Sequence, residues 1–548
     1  MKAQNLNITF DIISDSFPVL EKKVTQYEKH CVTYLIHNNK QIYVGETSHL
    51  KSRFKDHQKS KEAFKLLHTK IIFSAFFNKS AIYDIESRLI NYMYADQKFE
   101  LINIKKDQAS HNYYLKDQIN DQLFKNIWAA LKEKDLVSST LAELENKYLF
   151  KYSPFKEFSE DQNEVISKAI NLVSISTSKE TIGFDGSVIQ LRELATINNQ
   201  VLISGGPGTG KTLIIVKLVH DLVKRYGVDP KDIIVCIPQS NLLKTFKIMF
   251  KQAKLKVKLV KPVEISKIPN SIPLLIVDEA HRLKKHFSKQ TKDLKHLRGG
   301  ELTELEIVRK KSQNLILMYD ADQSVRPADV DPKQIQGLDH FHKLQLNQQF
   351  RVRKGKDYLK FIKGLLQIEN VEISASDLGE YDFKIVDDIQ KLHSLIIKRN
   401  AEHGVSRLAS GYYKKWISKT NRSKYDFEDE GLKLKWNTTI EGWVSSPNSI
   451  NEVGCIHTLQ GEDLHYAGVI IGDEIYLDPK DSKIKIRKEF YFDKNGTPVN
   501  GTDENDSQLS EYIKNIYYVL LSRGMLGTYV FIKDKNLRKW ISSHISMN

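Results

Sequence analysis

Val201-Leu202-Ile203-Ser204-Gly205-Gly206-Pro207-Gly208-Thr209-Gly210-Lys211-Thr212 decides the fold of this 548-residue chain. It fits G-x-x-x-x-G-K-[ST] in the setting that the motif requires: an apolar strand before it, and the helical run Leu213-Ile214-Ile215-Val216-Lys217-Leu218-Val219 after it. Gly205, Gly208 and Gly210 let successive backbone N–H groups close around nucleotide phosphates, where the positive end of the following helix adds attraction. By this reading Lys211 reaches the β- and γ-phosphates of ATP, and the Thr212 hydroxyl ligates Mg²⁺. A turn that is merely glycine-rich would not need glycine, lysine and threonine in register between those two elements.

Downstream, apolar runs keep ending in polar residues, as expected where sites form at the carboxyl ends of a parallel sheet. Ile272 to Val277 is followed at once by Asp278-Glu279-Ala280-His281. Asp278 can hold Mg²⁺ through water, and Glu279 can orient and deprotonate the water that attacks the γ-phosphate. A further run, Leu315 to Tyr319, leads into Asp320-Ala321-Asp322-Gln323, where the Gln323 amide suits sensing of the γ-phosphate. Upstream, Phe158-Ser159-Glu160-Asp161-Gln162 offers Gln162 as a reader of the adenine edge.

Composition narrows the partners. Charged residues at 28% and hydrophobic ones at 41% are ordinary for a soluble globular protein of three or four units. A net charge of +15 in an ATP-binding chain favours a polyanionic partner, most simply nucleic acid, because lysines and arginines release counterions from phosphates. Three scattered cysteines, Cys31, Cys236 and Cys455, exclude a disulfide scaffold or zinc ribbon. No apolar h-region and no stretch of ~18 apolar residues occurs, so the expected location is cytoplasmic, with no membrane partner. The basic run from Arg282 to Lys292 reads equally as a nucleic-acid contact and as a solvated insertion.

These pieces resemble a superfamily 1 helicase. Leu346-Asn347-Gln348-Gln349-Phe350-Arg351 is similar to the motif that places an arginine on the γ-phosphate from a second RecA-like domain. His457-Thr458-Leu459-Gln460-Gly461-Glu462 is similar to the motif whose glutamate, here Glu462, binds the ribose and whose threonine lies near nucleic acid. Tyr517 to Gly524 resembles the final motif, which makes Arg523 the arginine finger, a group worth ~10³ to 10⁵ in rate. Gly411-Tyr412, Lys435-Trp436-Asn437, Trp443 and Asn451 to His457 narrow the resemblance to the Schlafen group III helicase domain, over roughly residues 155 to 548. One departure is that about forty residues, loop-rich by composition, separate Gln162 from the phosphate loop.

The amino-terminal part carries a second chemistry. Val32 to Ile36 and Gln41 to Gly45 read as a hairpin of β-branched and aromatic strands. Arg53 and His57 lie four apart and share a helix face, and Ile82 to Ile90 is an amphipathic helix that carries Glu86. Phosphodiester hydrolysis asks for these types: a carboxylate to hold a divalent cation, a planar cation for the non-bridging oxygens, and a group to take the water's proton. The pattern resembles the GIY-YIG endonuclease family over roughly residues 30 to 108. Tyr34 and Tyr43 match its tyrosines, Gly45 its glycine, Arg53 its arginine, His57 the histidine one turn on, Glu86 its metal-binding glutamate and Asn103 its late polar residue. Val32-Thr33 stands where the family has Gly-Ile.

Between the two parts, Leu115, Ile119, Leu123, Ile127 and Leu131 recur every four residues and predict a helix; a second includes Leu141 and Leu144. Without a Gly/Ser- or Pro-rich run, this connector reads as a packed strut. The expected architecture is α/β: an extension over 1–29, a GIY-YIG-like nuclease over 30–108, a helical connector over 109–154, and RecA-like domains over 155–345 and 346–548. The implied cofactors are ATP and Mg²⁺, and the implied partner is DNA, single- or double-stranded, with RNA and a homo-oligomer left open. Nuclease joined to motor suggests defence against invading DNA in a bacterium. Two rivals remain: a nuclease gated by an ATPase that does not unwind, and a repair helicase with a DNA-binding adaptor.

Overall fold

The computed structural model describes residues 9–16, 28–58, 68–103, 113–145, 147–183, 187–196, 198–285, 303–353, 355, 357–429, 431–439, 442–493, 496 and 503–545. Residues 286–292 of the basic run and 109–112 of the expected connector lie outside them.

The first sheet contains β1 (Asp11–Ser16), β2 (Val32–His37), β3 (Gln41–Thr47), β4 (His68–Phe73) and β5 (Glu100–Leu101), in the order β1-β4-β2-β3-β5. Its first strand thus comes from the stretch read as an extension, and pairs antiparallel with β4. The hairpin forms as its alternation requires, with Tyr34 opposite Gly45. Helix Lys79–Asp96 starts at Asn78, whose side chain accepts from the Ala81 N–H, and ends at Gln97 in the left-handed region. Its apolar face, Ala81, Ile85 and Leu89, joins Leu35 and Val44 of the sheet in one core.

The connector is packed, and its period of four has a physical cause. On a regular α-helix a repeat of four drifts away from a repeat of 3.6 residues per turn. Here a π-helical turn over Ile119–Leu123, between the short helix Lys116–Gln118 and helix Phe124–Glu133, takes up part of that drift. Ile119, Leu123, Ile127 and Leu131 all end up fully buried. Tyr92 stacks against Phe150 at 4.5 Å between ring centroids, and its hydroxyl donates to Glu145. Asp96 accepts from the backbone of Ser138 and Ser139 at 2.8 Å each. One continuous core runs from helix Lys79–Asp96 through the connector to helix Lys211–His220.

The stretch between Gln162 and the phosphate loop corrects the expectation of a loop. It folds as an antiparallel hairpin, β6 (Ser174–Ile182) with β7 (Val188–Leu194). Alternation of exposed polar with occasional apolar residues hides this pairing from a reading by composition.

Two parallel sheets follow. The first contains β8 (Gln200–Gly205), β9 (Ile233–Cys236), β10 (Lys258–Val260), β11 (Ile272–Val277), β12 (Ser312–Tyr319) and β13 (His342–Leu346), in the order β10-β9-β11-β12-β8-β13. The second contains β14 (Asp382–Val386), β15 (Ser406–Ser410), β16 (Phe427–Asp429), β17 (Leu432–Trp436), β18 (Glu452–Cys455), β19 (Leu464–Ile471) and β22 (Gly524–Ile532), while β20 (Ile475–Asp478) and β21 (Lys483–Ile486) pair as a separate antiparallel hairpin. The order of the second sheet is β14-β22-β19-β15-β18-β17-β16, parallel except for the last pair. The carboxyl ends of β8, β11 and β12 point the same way, which brings the phosphate loop, Asp278 and Asp320 to one edge. Among the described residues no helix is long and apolar enough to cross a membrane, and all three cysteines are free thiols.

Candidate nucleotide cleft and nuclease centre

The phosphate loop bridges β8 and helix Lys211–His220, with Gly210 as the helix's N-cap. Gly208 takes φ +78°, and a Cβ there would stand 2.6 Å from the Cβ of Arg351, so only glycine fits. Lys211 is buried, and its Nζ donates to the carbonyls of Gly205 (2.6 Å) and Gly206 (3.0 Å) and to Asp320 (2.9 Å). Thr212 Oγ1 donates to Asp278 at 3.2 Å, the pairing expected of two groups that would share one cation.

Glu279 follows directly, at φ +48°, a left-handed backbone that costs a non-glycine residue ~1–3 kcal/mol and concentrates at functional sites. Its Oε2 stands 2.8 Å from His281 Nε2, a buried pair beside the phosphate loop. Burial pushes the Asp278 carboxyl up to about 7, helped by the charge of Glu279. Burial acts on Glu279 in the same sense, yet His281, Lys211 and Arg282 together hold it below the usual carboxylate range. The pair therefore differs in character: burial works against the charge of Asp278, whereas its cationic neighbours keep Glu279 ionised.

Gln323 donates to Asp320 at 2.7 Å, and its backbone carbonyl accepts from Gln460, in the turn after helix Ile456–Leu459 of the second parallel-sheet domain, at 3.5 Å. It stands between the Lys211–Asp320 pair and the other domain. Gln162 spends its amide locally: Oε1 accepts from the Ser159 N–H, and Nε2 donates to the Thr209 carbonyl at 2.8 Å. It caps helix Glu160–Val173 and braces the phosphate loop.

Arg351 and Arg523 come from the far side. The Phe350 N–H donates to the Gly208 carbonyl at 2.8 Å, which seats this segment directly on the phosphate loop. Arg351 Nε donates to Asp463 at 2.5 Å, while its buried Nη1 has no partner. Arg523 is fully buried where helix Asp503–Leu521 gives way to β22. It donates to the carbonyls of Val519 (3.1 Å) and Glu462 (3.3 Å), and its Nη2 has no partner. Burial and the neighbouring charge of Arg351 lower its pKa to about 9, against the opposing pull of Asp463, Glu279 and Asp320. Two guanidinium groups with unmet donors thus lie near one another, and that of Arg523 is within electrostatic reach of Glu279 and Asp320. Burial, then the charge of Asp463, raises the Glu462 carboxyl.

Beside this cleft runs a groove of about 240 Å³ lined by Tyr148, Gln239, Arg282, Arg326, His457 and Glu462. Arg282 reaches Gln460, and Arg326 meets His457 Nδ1 at 2.6 Å, so both domains form its floor. Buried Nε atoms of Arg282 and Arg326 are without partners.

In the amino-terminal sheet four predicted residues form one connected set. Tyr34 OH and His57 Nε2 share a hydrogen bond of 2.7 Å, Arg53 Nε donates to Tyr34 OH at 3.3 Å, and Arg53 Nη2 to Tyr43 OH at 3.5 Å. Arg53 and His57 do lie on one face of helix Leu50–Gln58. Gly45 is required by closeness, since a Cβ there would fall 2.3 Å from Tyr34 Cζ. Asn103 clamps the middle of β3, accepting from the Val44 N–H at 3.0 Å and donating to its carbonyl at 2.7 Å. Glu86 is buried on helix Lys79–Asp96. Among the described residues no three His, Cys, Asp or Glu side chains gather as a metal cage.

Sequence reasoning gave no role to Asp320, His281, Asp463 or Arg326. Asp320 was accessible by the rule that found Asp278, being the first polar residue after a buried strand. Asp463 and Arg326 act through pairings across the two domains, which no local pattern signals.

A cleft between two parallel-sheet domains, with a phosphate loop on one wall and buried arginines beside it, is the arrangement of a helicase-type domain. The Schlafen group 3, DNA/RNA helicase domain matches residues 198–534, more than half of the chain, and the chain belongs to that family. The GIY-YIG catalytic domain matches residues 30–100. The chain is therefore a helicase domain joined to a GIY-YIG domain. An uncharacterized protein of Saccharomyces cerevisiae, YPL245W, is 27% identical over 384 residues, 62% of this chain and 82% of that protein. Among solved structures, arterivirus nonstructural protein 10 (helicase) aligns at 14% identity and a TM-score of 0.30, over 62% of this chain and about three fifths (61%) of that one. The Pif1 helicase of Candida albicans aligns at 11% identity and a TM-score of 0.28, over 72% of this chain and 100% of its own.

Proposed function

We propose that this chain is a nucleic-acid-dependent ATPase of helicase type that delivers DNA to, or gates, a metal-dependent endonuclease on the same polypeptide, in defence against invading DNA. The observation that carries the motor half is the pair of buried, unpartnered donors, Arg351 Nη1 and Arg523 Nη2, across from Lys211 and Glu279. Buried donors without partners are costly, and a phosphate group would satisfy both. Lys211, the loop amides, Thr212 and Asp278 would hold ATP with its Mg²⁺, whose positive charge offsets charge on the transferring phosphoryl group. Glu279 accepts the proton of the attacking water, and Arg523 and Arg351 stabilise charge on the γ-phosphate oxygens. The groove with the unmet Nε atoms of Arg282 and Arg326 takes the strand by its phosphates, beside Tyr148.

In the nuclease, Glu86 would hold the divalent cation, which supplies positive charge at the scissile phosphate and acidifies water. Arg53 neutralises the non-bridging oxygens, oriented by the two tyrosines that it touches. Tyr43 or the Tyr34–His57 pair takes the water's proton. The test is incubation of the full chain with Mg²⁺ and labelled linear, circular, branched and single-stranded DNA and RNA, with and without ATP. ATP-dependent strand displacement with cleavage supports the proposal, and ATP hydrolysis with cleavage but no displacement replaces the helicase by a switch. Undiminished cutting by Glu86→Ala discards the nuclease.

A further inference from the structure

Hairpin β6–β7 gives no residue to the phosphate loop or to the nuclease centre, yet its root forms one wall of a recess of about 260 Å³ on the first parallel-sheet domain. The Arg192 N–H of β7 donates to the Tyr226 carbonyl at 2.9 Å, which fixes the hairpin beside the π-helical turn Asp221–Arg225 that continues helix Lys211–His220. At this junction Arg192 and Arg225 share one ring: the guanidinium carbon of each lies 5.0 Å from the centroid of Tyr226. All three side chains are half-buried and line the recess. Its remaining charges cancel. Lys217 and Asp221, both buried, pair at 3.0 Å, and against the pull of burial Lys217 and His220 hold the Asp221 carboxyl below its usual range. Among the described residues neither arginine pairs with a carboxylate; Arg192 donates from Nη1 to Ser174 Oγ at 3.2 Å, and the Arg225 side chain makes no hydrogen bond to the protein.

Two cations gathered on one ring, open to solvent and left without an anion, repel each other until an anion joins them. Stacking on Tyr226 holds their planes, and a planar fork held in place is what a phosphate group meets with paired, charge-assisted hydrogen bonds. Asn171, exposed on helix Glu160–Val173, adds an amide to the same recess. We propose that Arg192 and Arg225 bind a phosphate group here. The same chemistry comes either from the backbone of a nucleic-acid strand or from free inorganic phosphate. The site lies at the end of helix Lys211–His220 away from the phosphate loop, roughly 20 Å distant at ~1.5 Å per residue. It is therefore separate from the ATP cleft and rests on neither activity proposed above.

Fluorescence anisotropy with labelled single- and double-stranded DNA, over about 50 to 200 mM salt, and calorimetric titration with inorganic phosphate test this on the full chain. The variants are Arg192→Gln and Arg225→Gln, which remove the charge and keep a polar side chain. If the phosphate belongs to a strand, each variant weakens DNA binding about tenfold, whatever the base sequence, and lowers the slope of log affinity against log salt by about one. If it is free phosphate, DNA binding is unchanged and each variant loses one equivalent of bound phosphate; phosphate held by the phosphate loop is retained in both and does not imitate this result. In either case ATP turnover without nucleic acid stays at the level of the unaltered chain, which shows that the domain is folded. DNA affinity, salt slope and phosphate stoichiometry equal in all three proteins overturn the proposal. Loss of ATP turnover in both variants also overturns it, because the arginines then hold the domain together rather than a ligand.

Discussion

The nuclease centre and the motor cleft are built on opposite terms. In the nuclease, Tyr34, Tyr43, Arg53 and His57 hold one another within a single small sheet and one helix, so the geometry is set before any substrate arrives. In the cleft, Arg351 Nη1 and Arg523 Nη2 are buried without hydrogen bonds, and the groups around them come from two domains. A buried polar atom without a partner is destabilising by ~1–3 kcal/mol, more if charged. Two such cationic donors close together are what a bound anion would complete. The contrast teaches that the nuclease is organised by its own residues, whereas the cleft is organised for something that it binds.

The sharpest way to break the contrast is at Arg523. If its unmet donor exists for the γ-phosphate, Arg523→Ala lowers kcat for ATP by ~10³ or more while KM changes little, because the finger acts on the transition state. Steady-state kinetics with a saturating DNA cofactor read this directly. A loss confined to KM would make Arg523 a binding or structural group, and the cleft would then resemble the nuclease in kind. Glu279→Gln should bind nucleotide normally and stop turnover, as the amide cannot accept the water's proton.

A smaller loss is expected on the other side. Arg53→Ala removes one donor from a set that Tyr34, Tyr43 and His57 still hold, so cleavage should fall by ~10²–10³ with DNA-stimulated ATPase retained. Parallel gel assays of cleavage and phosphate release measure both. A fall in ATPase of similar size would show that the two centres do not stand apart, and would point to the core that helix Lys79–Asp96 shares with helix Lys211–His220.

Smaller still is the effect expected at the junction of the two parallel-sheet domains. Gln460 meets Arg282, the Gln323 carbonyl and, through its own carbonyl, Gln239 at 3.2 Å. Gln460→Ala should leave basal ATP turnover near normal and reduce its stimulation by DNA, by the ~0.5–2 kcal/mol typical of residues that couple two sites. Titration of ATPase rate against DNA concentration checks it; unchanged stimulation removes Gln460 from the coupling.

What was legible in the sequence follows the same division. The phosphate loop, the run Ile272–Val277 with Asp278 and Glu279, and the hairpin of Tyr34 and Tyr43 are local patterns, and the elements stand where periodicity and turn residues put them. Arg53 and His57 needed only helical spacing to be set on one face. The partners of the two arginines were not legible, because Asp463 and Gly208 reach Arg351 through the packing of one domain on another. Gln162 carries a local signal besides the family resemblance: a serine three residues earlier marks a capping box, and the structure adds the bond of its amide to the Thr209 carbonyl. Hairpin β6–β7 escaped because its strands carry mostly exposed residues, so no buried face marks their period.

Glu474 gives the control for the whole comparison, with the smallest effect on activity. It too is buried with an oxygen, Oε2, that has no partner, but it lies away from the cleft, where its Oε1 accepts from Tyr517. Burial pushes its carboxyl from an ordinary 4.5 up to about 8, against the opposing hydrogen bond of Tyr517. A carboxyl with a raised folded pKa stabilises fully below its unfolded value and loses that contribution as pH climbs through the folded one. The thermal midpoint of the unaltered chain should therefore fall between about pH 5 and pH 8 by this term, at ~2–4 °C per kcal/mol. Glu474→Gln keeps the shape without the charge, so its midpoint should match the unaltered chain at pH 5 and exceed it at pH 8, with ATP turnover within about twofold. Scanning calorimetry at the two pH values, with turnover measured beside it, separates the cases. If Glu474→Gln stops ATP hydrolysis as Arg523→Ala does, an unpartnered buried atom no longer marks the ligand's place, and the reading of the cleft by its unmet donors loses its basis.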